Sequence, residues 1–193
     1  MTNAEENHSS RLFLALWPDP STRTGLAALQ QSVHGRRVHP ADLHLTLAFL
    51  GQQPAAALPA LKDMLAHLPS GTIPLTLDRA GYFARNRIAW AGTHSTPPAL
   101  LELYRRVKEG LAAHGIRWKE DGRAYRPHIT LARDASAPLD MVFAPIIWHA
   151  REVTLVMSEP RGDGTRYRII ASRRLDETLR VPDPGEDAPL ALP

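Results

Sequence analysis

The sequence predicts an α+β fold built from antiparallel sheets, in two similar halves that share a cleft. Two observations carry this reading. Neighbouring strand-like runs are joined by short turns, which favours antiparallel pairing over a doubly wound parallel sheet. One local pattern also occurs twice, as Leu43-His44-Leu45-Thr46-Leu47-Ala48 and as Pro127-His128-Ile129-Thr130-Leu131-Ala132. Residues i and i+2 of a strand share a face. His44 and Thr46 therefore point one way, with Leu43, Leu45 and Leu47 behind them. His128 and Thr130 repeat the arrangement, with Ile129 and Leu131 behind. Each copy describes a strand with one side in a core and a polar pair lining a groove.

The elements follow in order. Residues 11–17 form an apolar run stopped by Pro18-Asp19-Pro20, a buried strand. Over 21–34, Leu26, Leu29 and Val33 recur at helical spacing, with Gly35 as the stop. Residues 36–40 read as a basic turn into the first motif strand, which Gly51 and Pro54 close. A second helix over 55–68 carries Leu58, Leu61, Leu65 and Leu68 on one stripe. Two strands, 72–83 and 87–93, flank the turn Ala84-Arg85-Asn86. Pro97 and Pro98 open a third helix with Leu100, Tyr104, Val107 and Leu111 inward and Gly115 as its end. After a polar, basic stretch over 116–125 comes the second motif strand. Two late strands, 152–157 and 165–173, are joined by Arg161-Gly162-Asp163-Gly164, a hairpin turn. Residues 1–10 and 181–193 read as disordered ends around a single folded unit over 11–175, the tail being rich in Pro, Asp and Glu.

Composition narrows the classes. A chain of 193 residues with 44% apolar content is long enough to bury a substantial core. No apolar run approaches the roughly 18–20 residues that cross a bilayer, and the polar start shows no signal-peptide pattern, so no membrane association is expected. There is no cysteine, which excludes disulfides, thiolate nucleophiles and cysteine-bound metals and fits a cytoplasmic protein. A net charge of +3, with arginines concentrated in the second half, suits an anionic substrate. The expected oligomeric state is a monomer.

The paired segments Asp42-Leu43-His44-Leu45-Thr46-Leu47-Ala48-Phe49-Leu50-Gly51 and Arg126-Pro127-His128-Ile129-Thr130-Leu131-Ala132-Arg133 resemble the signature motifs of the two-histidine phosphoesterases. More narrowly, they resemble the bacterial RNA 2',3'-cyclic phosphodiesterases, also called 2'-5' RNA ligases. The resemblance extends to the segments 11–16 and 76–81 and covers roughly 11–175. It implies two pseudo-symmetric lobes around a central cleft, each an antiparallel sheet with outer helices.

The chemistry of the residues agrees. Opening a 2',3'-cyclic phosphate needs a base to take a proton from water and an acid to give one to the leaving ribose oxygen. Histidine serves both ends near its ordinary pKa of about 6.5. Thr46 and Thr130 hydroxyls supply donors to the non-bridging oxygens. The motifs show no metal-ligand spacing and no Gly-rich nucleotide-phosphate loop, so no metal and no cofactor is expected and ligation would be independent of ATP. The two motifs are nearly interchangeable. The resemblance implies that His44 is the proton donor to the 3' oxygen and His128 the proton acceptor, giving a 2'-phosphomonoester. The reverse reaction joins such an end to a 5'-hydroxyl.

Further candidates lie beside the motifs. Arg133 resembles a family arginine that contacts the phosphate, although strict alternation puts it opposite His128 unless the strand ends or twists first. Phe49 is placed to stack on a terminal base, although alternation puts it with Leu45 and Leu47 on the core side. Arg126, Tyr125 and Trp118 are candidates to line an RNA path. The other histidines have no Thr partner and read as structural or surface. Competing readings are a phosphodiesterase for small cyclic nucleotides, ADP-ribose cyclic phosphate or 2'-5' oligoadenylates, and a non-catalytic module that binds RNA ends.

Overall fold

The structure, a computed structural model, describes residues 9–118, 124–137, 141–161 and 164–176. The disordered lead-in expected over 1–10 lies outside these residues up to residue 8, and the tail expected over 181–193 lies outside them entirely.

The chain runs β1 (Ser9–Leu16), α1 (Pro20–Gln30), β2 (Arg36–Arg37), β3 (Leu45–Pro54), α2 (Leu58–Ala66), β4 (Ile73–Leu77), β5 (Arg79–Phe83) and β6 (Ile88–Gly92). It continues α3 (Pro98–Ala113), β7 (His128–Arg133), β8 (Ile146–Ala150), β9 (Glu152–Arg161) and β10 (Gly164–Arg174). The main sheet has the order β10-β9-β1-β3-β7-β6-β5, with β2 added against β7, and every pairing in it is antiparallel. One pairing, β3 to β7, consists of the single residue pair Leu45–Ile129. The sheet is thereby two halves, β10-β9-β1-β3 and β7-β6-β5, hinged at that pair. The α+β class, the antiparallel pairing and the two halves are as the sequence predicts.

The helices cover one side of this sheet. Helix α1 packs on β7 and β8, α2 on β9 and β10, and α3 on β3 and α2. Leu12, Leu14 and Leu16 of β1 point into that core together with Leu26, Leu61, Leu65, Val107 and Leu111, all fully buried. Burying each such side chain contributes about 1.5–3 kcal/mol before entropy is counted. Phe13 and Ala15 alternate to the other face, where they meet Val156, Trp17 and Tyr167 in a small separate cluster. The face without helices carries the site.

Several boundaries differ from expectation, each for a local reason. Ser9 and Ser10, read as lead-in, are strand because they pair with Pro54 and Gln53. Helix α1 starts where expected, since the Asp19 carboxylate accepts from Thr22 N–H at 2.8 Å and Pro20 fills the first turn. It stops at Gln30 rather than reaching His34. Gly35 has φ +134°, and a Cβ there would lie 2.8 Å from Ala135 Cα and Arg133 O. Arg36 and Arg37, expected in a turn, pair with Arg133 and Ala132. The run expected over 72–83 breaks at Asp78, whose N–H donates to Gly92 O and whose carboxylate accepts from His94 N–H. Strand β4 thus leaves the main sheet and pairs with β8 instead. Strand β8 is absent from the sequence reading, although Trp148 and Ala150 alternate inward along it.

Candidate functional site

Both motifs meet at the hinge. His44 immediately precedes β3, and Leu45 pairs with Ile129. Antiparallel register then sets His44 alongside Thr130 and Thr46 alongside His128. The two His-Thr pairs face each other across the join between the halves.

Each motif strand carries a bulge just past its Thr. Between β1 and β3 the register steps from Leu14–Ala48 to Ala15–Thr46, so Leu47 is an extra residue. Between β6 and β7 it steps from Ala89–Ala132 to Trp90–Thr130, so Leu131 is extra. Leu47 and Ala48 are both buried, as are Leu131 and Ala132. The following residue in each motif is swung back to the site face. Phe49, which alternation assigns to the core side, is 47% exposed and lines the cleft with Thr46. Arg133, still within β7, lines the same cleft. The bulge is the twist that its candidacy required.

The two histidines are held alike. His44 Nδ1 lies 2.6 Å from Asp42 O, and His128 Nδ1 lies 2.8 Å from Arg126 O. A carbonyl can only accept, so in both rings Nδ1–H is the donor and neutral Nε2 is left with a free lone pair. Aromatic rings fix both imidazoles. His44 stacks between Phe13 at 4.9 Å and Trp17 at 5.1 Å, with the Tyr167 ring edge-on at 5.2 Å. His128 meets Phe83 edge-on at 5.0 Å and Trp90 at 6.4 Å. This apolar enclosure disfavours the imidazolium: burial lowers the His44 pKa from 6.5 to about 4, and the positive charges of Arg133 and His128 add to the drop. Burial lowers the His128 pKa as well, again assisted by Arg133.

Beside the hinge opens a cleft of about 820 Å³. Its walls include His44, Thr46, Phe49 and Arg133, and they carry Arg11, Arg36 and Arg37 against one carboxylate, Asp42. The Arg11 guanidinium lies 5.5 Å over the Phe49 ring. His128 and Thr130 do not border this cavity. They sit half-buried on the adjacent strand, within reach of the Arg133 charge that acts on both imidazoles. The arrangement offers two proton-transfer nitrogens, two hydroxyls and a cationic wall, which suits an anionic substrate.

Other candidates fall out differently. Arg126 is exposed and absent from the cleft walls; its carbonyl, not its guanidinium, serves His128. Tyr125 is packed face to face on Tyr104 at 4.1 Å, and its hydroxyl donates to Thr46 O at 3.1 Å. Trp118 packs against the main core. His39 borders the cleft rather than being purely structural, and its Nδ1 accepts from Ala41 N–H. Sequence reasoning missed Trp17, Tyr167, Phe83 and Trp90. The signal available was scarcity. The chain has four each of Phe, Trp and Tyr, and half of these rings stand at the histidines or in the cleft.

The model of the 2'-5' RNA ligase superfamily matches residues 17–156. The RNA 2',3'-cyclic phosphodiesterase of Escherichia coli (strain K12) is 36% identical over 135 residues, 69% of this chain and 76% of that protein. The enzyme of the same name from Thermus thermophilus is 32% identical over 180 residues, 83% of this chain and 87% of its own. Among solved structures, E. coli LigT complexed with 3'-AMP superposes with a TM-score of 0.76 at 30% identity, covering 88% of this chain and all of that one.

Proposed function

The chain belongs to the 2'-5' RNA ligase superfamily, and from that premise we propose that it hydrolyses the 2',3'-cyclic phosphate at the end of an RNA strand to a 2'-phosphomonoester. The observation that carries the mechanism is the shared tautomer. Both rings give Nδ1–H to a backbone carbonyl two residues upstream, so both Nε2 atoms are available to a phosphate at the hinge.

In the proposed step, His128 Nε2 takes a proton from water as the water oxygen bonds to phosphorus. The bond from phosphorus to O3' breaks in line, and His44 Nε2–H delivers its proton to O3'. Thr46 and Thr130 hydroxyls donate to the non-bridging oxygens, and Arg133 offsets the developing negative charge. The imidazole of His128 is neutral at neutral pH, as a base requires. His44 must be protonated to act as the acid, and its lowered pKa opposes this in the free protein. The anionic substrate supplies the missing stabilisation of the imidazolium on binding. Water attack and release need no metal in this scheme. With a 5'-hydroxyl in place of water, the same step joins O5' to phosphorus as the bond to O3' breaks, His128 taking the hydroxyl proton and His44 protonating O3', and forms a 2'-5' linkage without ATP.

The cleft supports an RNA strand over a small cyclic nucleotide. Arg11 and Arg37 provide cationic surface beyond Arg133, more than one phosphate uses, while Arg36 is paired with Asp134 at 3.4 Å. Phe49 is open for stacking on the terminal base. Both motifs come from one chain, which supports action as a monomer, and the lack of cysteine supports a cytoplasmic setting. The test is product analysis of an oligonucleotide ending in a 2',3'-cyclic phosphate. Mass gain of one water, with a product resistant to 3'-specific phosphatase, is expected; a 3'-phosphate or an unchanged substrate would overturn the reading.

A further inference from the structure

We infer that Gln30, a residue of helix α1 outside the site, positions Arg133 by holding the β7 bulge in place. The inference rests on the reading of Arg133 as the residue that offsets phosphate charge. Gln30 is 2% exposed, and its carboxamide nitrogen donates to Leu131 O at 2.7 Å and to Val38 O at 2.8 Å. Leu131 is the extra residue of the bulge that returns Arg133 to the face shared with His128 and Thr130. Val38 follows the Arg36–Arg37 strand, which pairs with Arg133 and Ala132.

One amide therefore ties the helix to the bulge and to the segment after β2 that lies beside it. Leu131 O accepts from Val38 N–H at 3.0 Å, which extends the β2–β7 register past Arg37–Ala132, and Gln30 is its second donor, so the bulge carbonyl is held from the strand and from the helix. A buried glutamine beside Leu26 and Leu29 on α1 needs such a reason, since Leu or Met at this position would pack with less desolvation cost. The same device supports the other half: Gln53, also buried, donates to Leu50 O, the extra residue where β1 and β3 step from Phe13–Phe49 to Leu12–Gly51.

The test is a double-mutant cycle in the full chain with Gln30→Met, Arg133→Met and the pair, assayed on the cyclic-phosphate oligonucleotide. Met keeps the volume and removes the donors, and Leu131 O retains Val38 N–H, so the fold is expected to persist. Gln30→Met should lower kcat/KM by about 10- to 100-fold, the cost of a misplaced charge near the reacting atoms. In the Arg133→Met background the same substitution should cost less than about 2-fold. The acid limb of the kcat/KM profile should move to higher pH in both single variants, because Arg133 is the charge that opposes protonation of His128; a general loss of packing leaves that limb in place. Equal losses in both backgrounds, or full activity of Gln30→Met, would overturn the assignment of Gln30 alone. Full activity of Arg133→Met would overturn the role of Arg133 and this inference with it. If Gln30→Met does not fold, Gln30→Asn, which keeps the amide and withdraws it by one methylene, makes the same comparison.

Discussion

Leu45 and Ile129 are the single pair through which the two halves of the sheet join, and each stands between the His and the Thr of its own motif. A local twofold relation follows from that register. Whatever sits over the pair has a His and a Thr from each side. One side supplies Phe49 past its bulge and the other supplies Arg133, so the pseudo-symmetric scaffold brings an exposed aromatic ring and a guanidinium to the same cleft.

Phe49→Ala should leave thermal stability unchanged and raise KM for an oligonucleotide substrate. The ring is half exposed on the cleft face, and base stacking contributes about 1–3 kcal/mol per base, or roughly 5- to 150-fold. Thermal melts and steady-state kinetics on the same sample decide it. A large drop in Tm would instead mean that the ring packs in the core.

Thr46→Val and Thr130→Val keep shape and remove only a hydroxyl. Each should lower kcat by about 10²–10³-fold if the hydroxyl donates to the developing charge, with the circular dichroism spectrum unchanged. Single-turnover assays separate this from slow product release.

Gly81→Ala should perturb His128 from a distance. A Cβ at this position would lie 2.1 Å from Trp90 Cζ2, so the indole must move, and that indole packs on Phe83 and beside His128. Overpacking of this kind costs about 1–3 kcal/mol. Chemical denaturation should show the loss of stability, and kcat should fall in parallel.

Stability should decline as acid is added, in a window set by His44. Its pKa is 6.5 unfolded and about 4 folded. Above pH 6.5 both states are neutral and the folded state keeps its full margin. Between 6.5 and 4 the unfolded chain takes up a proton that the folded ring resists, so stability is lost as pH falls. The whole effect is on the order of 3 kcal/mol, and His128, also lowered, acts in the same direction. Urea titrations of wild type and His44→Gln across pH 7 to 4 check it: the variant should show the shallower decline.

The legible part of this molecule is the part that obeys local periodicity. The His-Thr pairs were visible because i and i+2 share a face, and the three helices because their leucines recur at helical spacing. Alternation puts Phe49 and Arg133 on the wrong face, because Leu47 and Leu131 are extra residues whose effect appears only in the pairing with β1 and β6. The rings around the histidines come from β1, β5, β6, β10 and the residue after β1, brought in by pairings far apart in sequence. Asp78 reads as one polar residue in a strand, yet it sends β4 to β8 because its N–H and carboxylate are captured by Gly92 and the backbone of His94.

The most direct measurement is turnover of an RNA oligonucleotide ending in a 2',3'-cyclic phosphate, in excess EDTA, by wild type, His44→Ala and His128→Ala in parallel. Wild type should give the 2'-phosphate, with each variant slower by at least about 10³-fold, a loss beyond the roughly 10²–10⁴-fold range's lower end for one acid or base. Dependence on added metal, or a variant that keeps wild-type turnover, would contradict acid–base catalysis by the two histidines.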